Sequence, residues 1–256
     1  MSEKIQLEKI RLNKFISLCG ICSRRDADRY IDQGRVCVNG KVVTQPAPLV
    51  DGNEIITVDG QPIQVIDEVK VWVFYKPAGL VTTHNDEQGR ETVFDFVKEQ
   101  GLEERVISVG RLDLNSEGLL LLTTDGKVSE IIRSKKVDKE YYVQVDGIIN
   151  QEAIDKLQLG VEIGFNGTKY ITKPCKASLI DEIPAFGARG KKIRDERHGP
   201  TSWASITVNE GKFRQVRKMT AAVGFPTLRL VRIRIGNVRL NDLQAGEVKK
   251  VMNFEL

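Results

Sequence analysis

Histidine is nearly missing from this chain of 256 residues, with two in total, and cysteine is scarce, with four. His84 and His198 stand far apart. Cys19-x-x-Cys22 has metal spacing but no second Cys-x-x-Cys or His pair to complete a site, which leaves zinc a minor reading. With Cys37 and Cys175, the cysteines are too few and too unevenly spaced for a disulfide framework in a chain this long, and they read as small core side chains. No apolar run reaches the roughly 20 residues of a membrane helix. Met1-Ser2-Glu3-Lys4 lacks the apolar core of a secretory leader. The expectation is a soluble cytoplasmic protein that engages no membrane.

What is present is enough apolar material, 41% of residues, for one large domain or a small one plus a medium one. A net charge of +4 predicts little by itself. Its distribution says more: Arg24, Arg25, Arg29 and Arg35 form one cluster, Arg189, Lys191, Lys192, Arg194 and Arg197 a second, Arg214, Arg217, Lys218, Arg229, Arg232 and Arg234 a third. Each could be an ordinary solvated face. Three in a nearly neutral chain point to a polyanionic partner, with nucleic acid first.

Residues 10 to 60 read as a small unit. Leu12, Phe15 and Ile16 share one helical face, and Gly20 ends that helix. Ser23 is placed to cap a second helix running to Ile31 and closing near Gly34. Short β segments follow, with Asn39-Gly40 as a hairpin turn between Val36–Val38 and Lys41–Val43. Residues 61 to 69 carry no strong pattern and read as a linker.

Beyond it, Val71–Tyr75 reads as a strand halted by Lys76-Pro77-Ala78-Gly79. Val93, Phe96 and Val97 suit a short helix. At Val109–Gly126 a glycine-flanked turn carrying Arg111, Asp113 and Glu117 runs into Leu119-Leu120-Leu121-Leu122-Thr123, a strand buried on both faces. Such a strand would hold Asp113 on a fixed support, although an Asp that merely caps its turn is the commoner case.

Further on, Val128, Ile131 and Ile132 suit a helix, Glu140–Val145 a strand, and Ala153, Ile154 and Leu157 another helix. From Lys169 to Gly199 the pattern breaks up into what reads as a long surface excursion. Order returns with a strand at Ser202–Val208, a helix at Phe213–Val223 closed by Gly224, and a basic β segment around Leu228, Leu230, Ile233 and Ile235. Strands and helices without a regular βαβ rhythm argue for an α+β fold with a mixed, mainly antiparallel sheet.

Gly110-Arg111-Leu112-Asp113, followed by Ser116-Glu117-Gly118-Leu119-Leu120-Leu121-Leu122-Thr123-Thr124-Asp125-Gly126, resembles the signature of RNA pseudouridine synthases, and more closely the branch containing RsuA, RluB, RluE and RluF. Lys139-Glu140-Tyr141 is similar to that family's Lys-x-Tyr element. Arg214-Gln215-Val216-Arg217-Lys218-Met219 is similar to its Arg-Gln-Ile/Val-Arg-Arg-Met element, and Lys76-Pro77-x-Gly79 also fits. Upstream, Arg11-Leu12-Asn13-Lys14, Ser23-Arg24-Arg25, Ala27, Ile31, Gly34 and Val38-Asn39-Gly40 resemble an S4-type RNA-binding module. The resemblance implies two domains, an S4-type one over residues 9–66 and a catalytic one over 70–256.

It also implies a reaction: the N1–C1′ bond of a uridine breaks, the uracil turns, and C5 bonds to C1′. By analogy Asp113 is the essential carboxylate, acting as nucleophile or as base. Arg217 would pair with it, the plainer role being a phosphate-binding helix arginine. Tyr141 would stack on the base, and since neighbouring strand residues face opposite ways, only one of Tyr141 and Tyr142 can enter the pocket. Arg111 would fill the gap left by the extruded uridine, the bland alternative being a salt bridge to Glu117.

Lys139, Arg214 and Lys76 would contact the substrate. The basic loop 186 to 197 and the S4 side chains Lys14, Arg24, Arg25 and Arg29 would hold RNA phosphates. No metal or organic cofactor is implied, because the isomerisation is redox-neutral and needs no group donor. The segments Pro200–Trp203 and Val223–Leu230 look most like RluE, which lacks the S4 module, so the chain combines features of two relatives.

The expected partner is therefore ribosomal RNA or a pre-ribosomal particle, first 23S large-subunit RNA, with 16S RNA or tRNA as alternatives, handled by a monomer. The rival from another class is a non-catalytic S4-containing RNA-binding or ribosome-assembly protein. Keeping Asp113, Tyr141 and Arg217 together argues against it. A metal-dependent nuclease built on Asp113 lacks clustered further ligands.

Overall fold

The computed structural model describes residues 8–45, 47–65, 69–134, 137–182, 185–187 and 198–252. Its contacts separate two compact units: Met1–Lys70 with Glu104–Ile107 and Thr124–Gly126, and the remainder of the chain. Among the described residues no helix is long and apolar enough to cross a membrane.

In the first unit a short strand β1 (Ile10–Arg11) leads into α1 (Leu12–Leu18) and α2 (Arg24–Asp32). Leu12, Phe15 and Ile16 recur at helical spacing, and all are buried against Ala27 and Ile31 of α2. Cys19 and Cys22 join this core as small apolar fillers, and burial pushes the Cys19 thiol up to about 12. Ser23 caps α2, its Oγ accepting the Asp26 N–H at 3.1 Å.

Four strands complete the unit in the order β3 (Lys41–Val42), β2 (Val36–Val38), β5 (Ile56–Val58) and β6 (Gln61–Pro62), while β4 (Leu49–Val50) pairs with β1. Asn39 and Gly40 turn the β2–β3 hairpin with φ of 49° and 78°, the left-handed pair that such a tight turn requires. The linker expected over 61 to 69 begins as β6, an edge strand where Pro62 has no donor to lose. Residues 66–68 lie outside the described residues.

The second unit is built on a mixed sheet whose main path is β13 (Lys176–Ile180), β14 (Thr201–Val208), β10 (Lys139–Asp146), β15 (Thr227–Ile235), β9 (Glu117–Thr123), β7 (Val71–Lys76) and β17 (Val248–Val251). Of these neighbours β15 and β9 run parallel, and the other pairs are antiparallel. Every residue of β9 is buried, as the leucine run implies. Gly118 permits the parallel contact: a Cβ there would lie 2.3 Å from the Arg232 carbonyl oxygen.

Around the sheet stand α3 (Val93–Glu99), α4 (Gly126–Ser134), α5 (Gln151–Leu159) and α6 (Gln215–Ala222), with the short strands β8 (Ile107–Ser108) and β16 (Val238–Arg239) and the hairpin β11 (Glu162–Phe165)–β12 (Thr168–Ile171). One core gathers α5 and α6 against β10 and β14, and another gathers α4 against β7, β9 and β15.

Two readings need correction. The stretch expected to be patternless from Lys169 contains most of β12 and all of β13, short strands whose register comes from their partners. The helix expected from Phe213 starts at Gln215, because Arg214 takes a left-handed conformation (φ 51°, ψ 35°) that cannot continue into the helix. Residues 188–197, with Arg189, Lys191, Lys192, Arg194 and Arg197, lie outside the described residues, so most of the expected phosphate-holding loop 186 to 197 does too.

Candidate active site

Asp113 sits on the loop that enters β9, and that loop is gripped from several directions. Its own turn closes when the Ser116 N–H donates to the Asp113 carbonyl at 3.0 Å. On the preceding side, Thr82 Oγ1 donates to the Leu112 carbonyl at 2.8 Å and accepts the Leu112 N–H at 3.4 Å. The Gly79 N–H reaches the Leu114 carbonyl at 2.8 Å.

Lys76, at the end of β7, is completely buried. Its Nζ donates to the carbonyls of Pro77 (2.9 Å), Ser116 (2.9 Å) and Leu114 (3.4 Å), which matches the three protons of an ammonium. Burial lowers its pKa to about 7, while the charges of Glu117 and Asp113 push it back up. Lys76 was expected to touch substrate; with no exposed surface it fastens the Asp113 loop instead.

Helix α6 supplies the second grip. Arg217 Nη2 donates to the Asn115 carbonyl at 2.9 Å and to Ser116 Oγ at 3.3 Å. The guanidinium that reaches the carboxylate is Arg214, whose Nη1 lies 3.5 Å from Asp113 Oδ2. The expected Asp113–Arg217 pair is thus replaced by Asp113–Arg214, because the left-handed turn at Arg214 frees its side chain from the helix and hands it to the loop. Asp113 and Arg214 both keep about a third or more of their side-chain surface, 31% and 41%, so a ligand can reach them.

Asp113 faces a cleft of about 1140 Å³ in the second unit. Tyr141 and Lys139, on the same face of β10, line it. Tyr142 turns the other way, its ring edge-on to Phe186 with centroids 5.9 Å apart. Lys139 is half-buried; burial and the charge of Arg232 lower its pKa, and its Nζ donates to the Val137 carbonyl at 2.8 Å. Arg111 is exposed on the cleft wall. Its alternative partner Glu117 is taken up by a buried bidentate pair with Arg229, at 3.1 and 2.8 Å.

Arg232, which the sequence placed only in a basic cluster, was not expected in the site. It sits opposite Tyr141 in the β10–β15 register, is 3% exposed, and donates Nε to the Leu119 carbonyl at 2.7 Å, while its Nη2 has no hydrogen-bond partner among the described residues. The signal was legible: an arginine inside the strand Leu-Arg-Leu-Val-Arg-Ile-Arg-Ile is costly to bury unless something uses its charge. Thr82 was missed as well, and no local pattern marks it; Ser116 stands inside the quoted signature but was given no role of its own.

The remaining expected contacts belong to the first unit. Arg24 and Arg25 are exposed on α2 and make no ion pair among the described residues; Arg29 is exposed too and pairs with Asp26; Lys14 is half-buried on α1. Among the described residues no group of three or more His, Cys, Asp or Glu side chains could hold a metal ion.

Comparison with known proteins bears on this arrangement. Residues 70–222 match the family model described as RNA pseudouridylate synthase, and residues 10–56 match the S4 domain. Ribosomal large subunit pseudouridine synthase B of Bacillus subtilis is 34% identical over 248 residues, covering 96% of this chain and 93% of that protein. Ribosomal large subunit pseudouridine synthase E of Vibrio parahaemolyticus is 41% identical over 184 residues, 71% of this chain and 74% of its own. A crystal structure of a pseudouridylate synthase superposes with a TM-score of 0.61 at 28% identity, covering 94% of this chain and 96% of that one.

Proposed function

Given that this chain belongs to the RNA pseudouridylate synthase family, we propose that it isomerises a uridine of large-subunit ribosomal RNA, with Asp113 as the essential carboxylate. The observation that carries this reading is Asp113 itself, fixed by its clamped loop yet open to a cleft that Tyr141 lines. Catalysis by a single carboxylate depends on placement, since an ångström of error costs about a hundredfold in rate. A uridine must leave its helix to reach such a site.

In the proposed course the extruded uracil stacks on Tyr141 while Asp113, beside Arg214, either attacks C1′ or removes a sugar proton. The N1–C1′ bond breaks, the ring turns between Tyr141 and the cleft wall, and C5 joins C1′ as the Asp113–C1′ bond breaks or, on the other route, as Asp113 returns the sugar proton. The C5 proton then leaves through the Tyr141 hydroxyl as its relay, and N1 takes up a proton, so that the product is an isomer of the substrate. Arg111, exposed on the wall, occupies the gap in the RNA stack, and Lys139 meets the nucleotide from the floor. Large-subunit RNA is chosen because the relatives above are named for it.

The S4 unit is assigned to holding RNA through Arg24, Arg25 and Arg29, with Lys14 beside them. Exposed guanidinium groups on one short helix suit phosphate oxygens.

The test is a map of pseudouridines in cellular RNA with and without the gene, followed by complementation. Loss of a large-subunit site on deletion, restored by wild type and not by Asp113→Asn, is the expected result. A complementing Asp113→Asn protein that makes product normally removes Asp113 from the mechanism. A lost site in small-subunit RNA or tRNA keeps the reaction and replaces the substrate.

A further inference from the structure

One target nucleotide does not account for the whole cleft. Its volume is about 1140 Å³, whereas pockets that enclose a drug-sized ligand span roughly 300–1000 Å³. Past Arg214 it continues along Asn209–Phe213 to Tyr170 and Lys173. Among the described residues Phe213 is the one phenylalanine, tyrosine or tryptophan side chain left exposed, at 62%.

This limb has rigid walls. Glu210 accepts the Tyr170 hydroxyl at 2.6 Å, the Lys173 N–H at 3.1 Å and Gln215 Nε2 at 2.6 Å, fastening the β11–β12 hairpin to the start of α6. Burial pushes the Glu210 pKa up, but those hydrogen bonds more than offset it, so the carboxylate stays charged and its oxygens are engaged within the wall. Lys212 Nζ lies 4.8 Å from the ring centroids of both Phe165 and Tyr170. Lys218 Nζ sits 5.4 Å from the Phe213 centroid and donates to the Gly164 carbonyl at 2.7 Å.

We propose that this limb is a second nucleotide subsite, in which an unpaired base next to the target uridine stacks on Phe213 and its phosphate meets the ammonium groups of Lys212 and Lys218. An open ring with a cation beside it, as Phe213 has in Lys218, is the pairing by which proteins hold single-stranded RNA. A lone ring offers too little apolar area for a stable protein interface. The subsite rests on the reaction proposed above and deepens it. The left-handed turn at Arg214 sends Phe213 outward and Arg214 towards Asp113, so the nucleotide gripped at Phe213 sets which neighbour arrives at the carboxylate.

The test compares the full-length wild type with Phe213→Ala and Phe213→Trp on a single-stranded oligouridylate carrying one 2-aminopurine, whose fluorescence falls on stacking. Wild type and Phe213→Trp are expected to quench it, and Phe213→Ala to lose the quench and bind about tenfold more weakly, the scale of one base–aromatic stack. On ribosomal RNA from cells lacking the gene, the alanine variant should raise KM by a similar factor, with the change carried by KM rather than kcat. Equal quenching and equal KM for wild type and Phe213→Ala overturn the subsite even if pseudouridine is made. A wild-type protein that makes none on any ribosomal RNA overturns the proposed reaction instead, and the fluorescence result then decides the subsite by itself.

Discussion

Lys76 and Arg232 in the second unit, and Arg24 and Arg25 in the first, are cations in opposite surroundings. Lys76 is fully buried and spends its donors on the carbonyls of Pro77, Leu114 and Ser116; Arg232, 3% exposed, bonds the Leu119 carbonyl. Arg24 and Arg25 lie on the surface of α2. A buried basic group with its donors held by backbone carbonyls works as a brace, insensitive to salt. An exposed one keeps its donors for a polyanion and is weakened by salt. The same residue classes therefore shape the site in one region and, under the proposed function, meet RNA in the other.

Beyond the loss of product in Asp113→Asn, the largest effect expected is at the brace from α6. Arg217→Ala leaves the Asn115 carbonyl and Ser116 hydroxyl without their guanidinium, and kcat should fall by about a hundredfold through misplacement of Asp113. Amide exchange over residues 113–118 should quicken. Undiminished protection there, alongside the lost rate, would transfer Arg217 from positioning to direct chemistry.

Lys76→Met comes next and should cost about 2–3 kcal/mol in urea unfolding, since buried carbonyls lose their donor. Its pH dependence has a definite sign. The folded lysine releases its proton near pH 7, and the unfolded one near 10.5. Between those values the unfolded chain binds more protons, so wild-type stability rises with pH. The gap between wild type and Lys76→Met should therefore widen from about pH 7 towards 10; a gap that narrows contradicts a buried, proton-shedding Lys76.

The smallest effect belongs to the exposed set. Arg24→Ala with Arg25→Ala should weaken RNA binding a few-fold, alike for all sequences, and reduce the slope of log affinity against log salt by about one per arginine removed. An unchanged slope would take these side chains off the phosphate backbone.

The local elements were readable because their causes are local. Leu12, Phe15 and Ile16 announce the buried face of α1, Ser23 announces the start of α2, and the leucine run announces β9. The site was readable in its residue types and unreadable in its pairings. Lys76 and Ser116 are 40 positions apart, and Arg214 is 101 from Asp113; periodicity and capping carry no information across such separations. Arg217 was matched to Asp113 for the same reason, when a single left-handed residue gave that contact to Arg214.

By itself the sequence determined the order of helices and strands, the buried strand beneath Asp113, and a family signature strong enough to name the reaction, because propensity, capping and hydrophobic period act within a few residues. Only the tertiary structure decided which cations are braces and which stay exposed, and which arginine faces the carboxylate. Burial and partner choice are set by chain segments brought together from far apart, where desolvation and hydrogen-bond geometry outweigh anything written in the neighbouring residues.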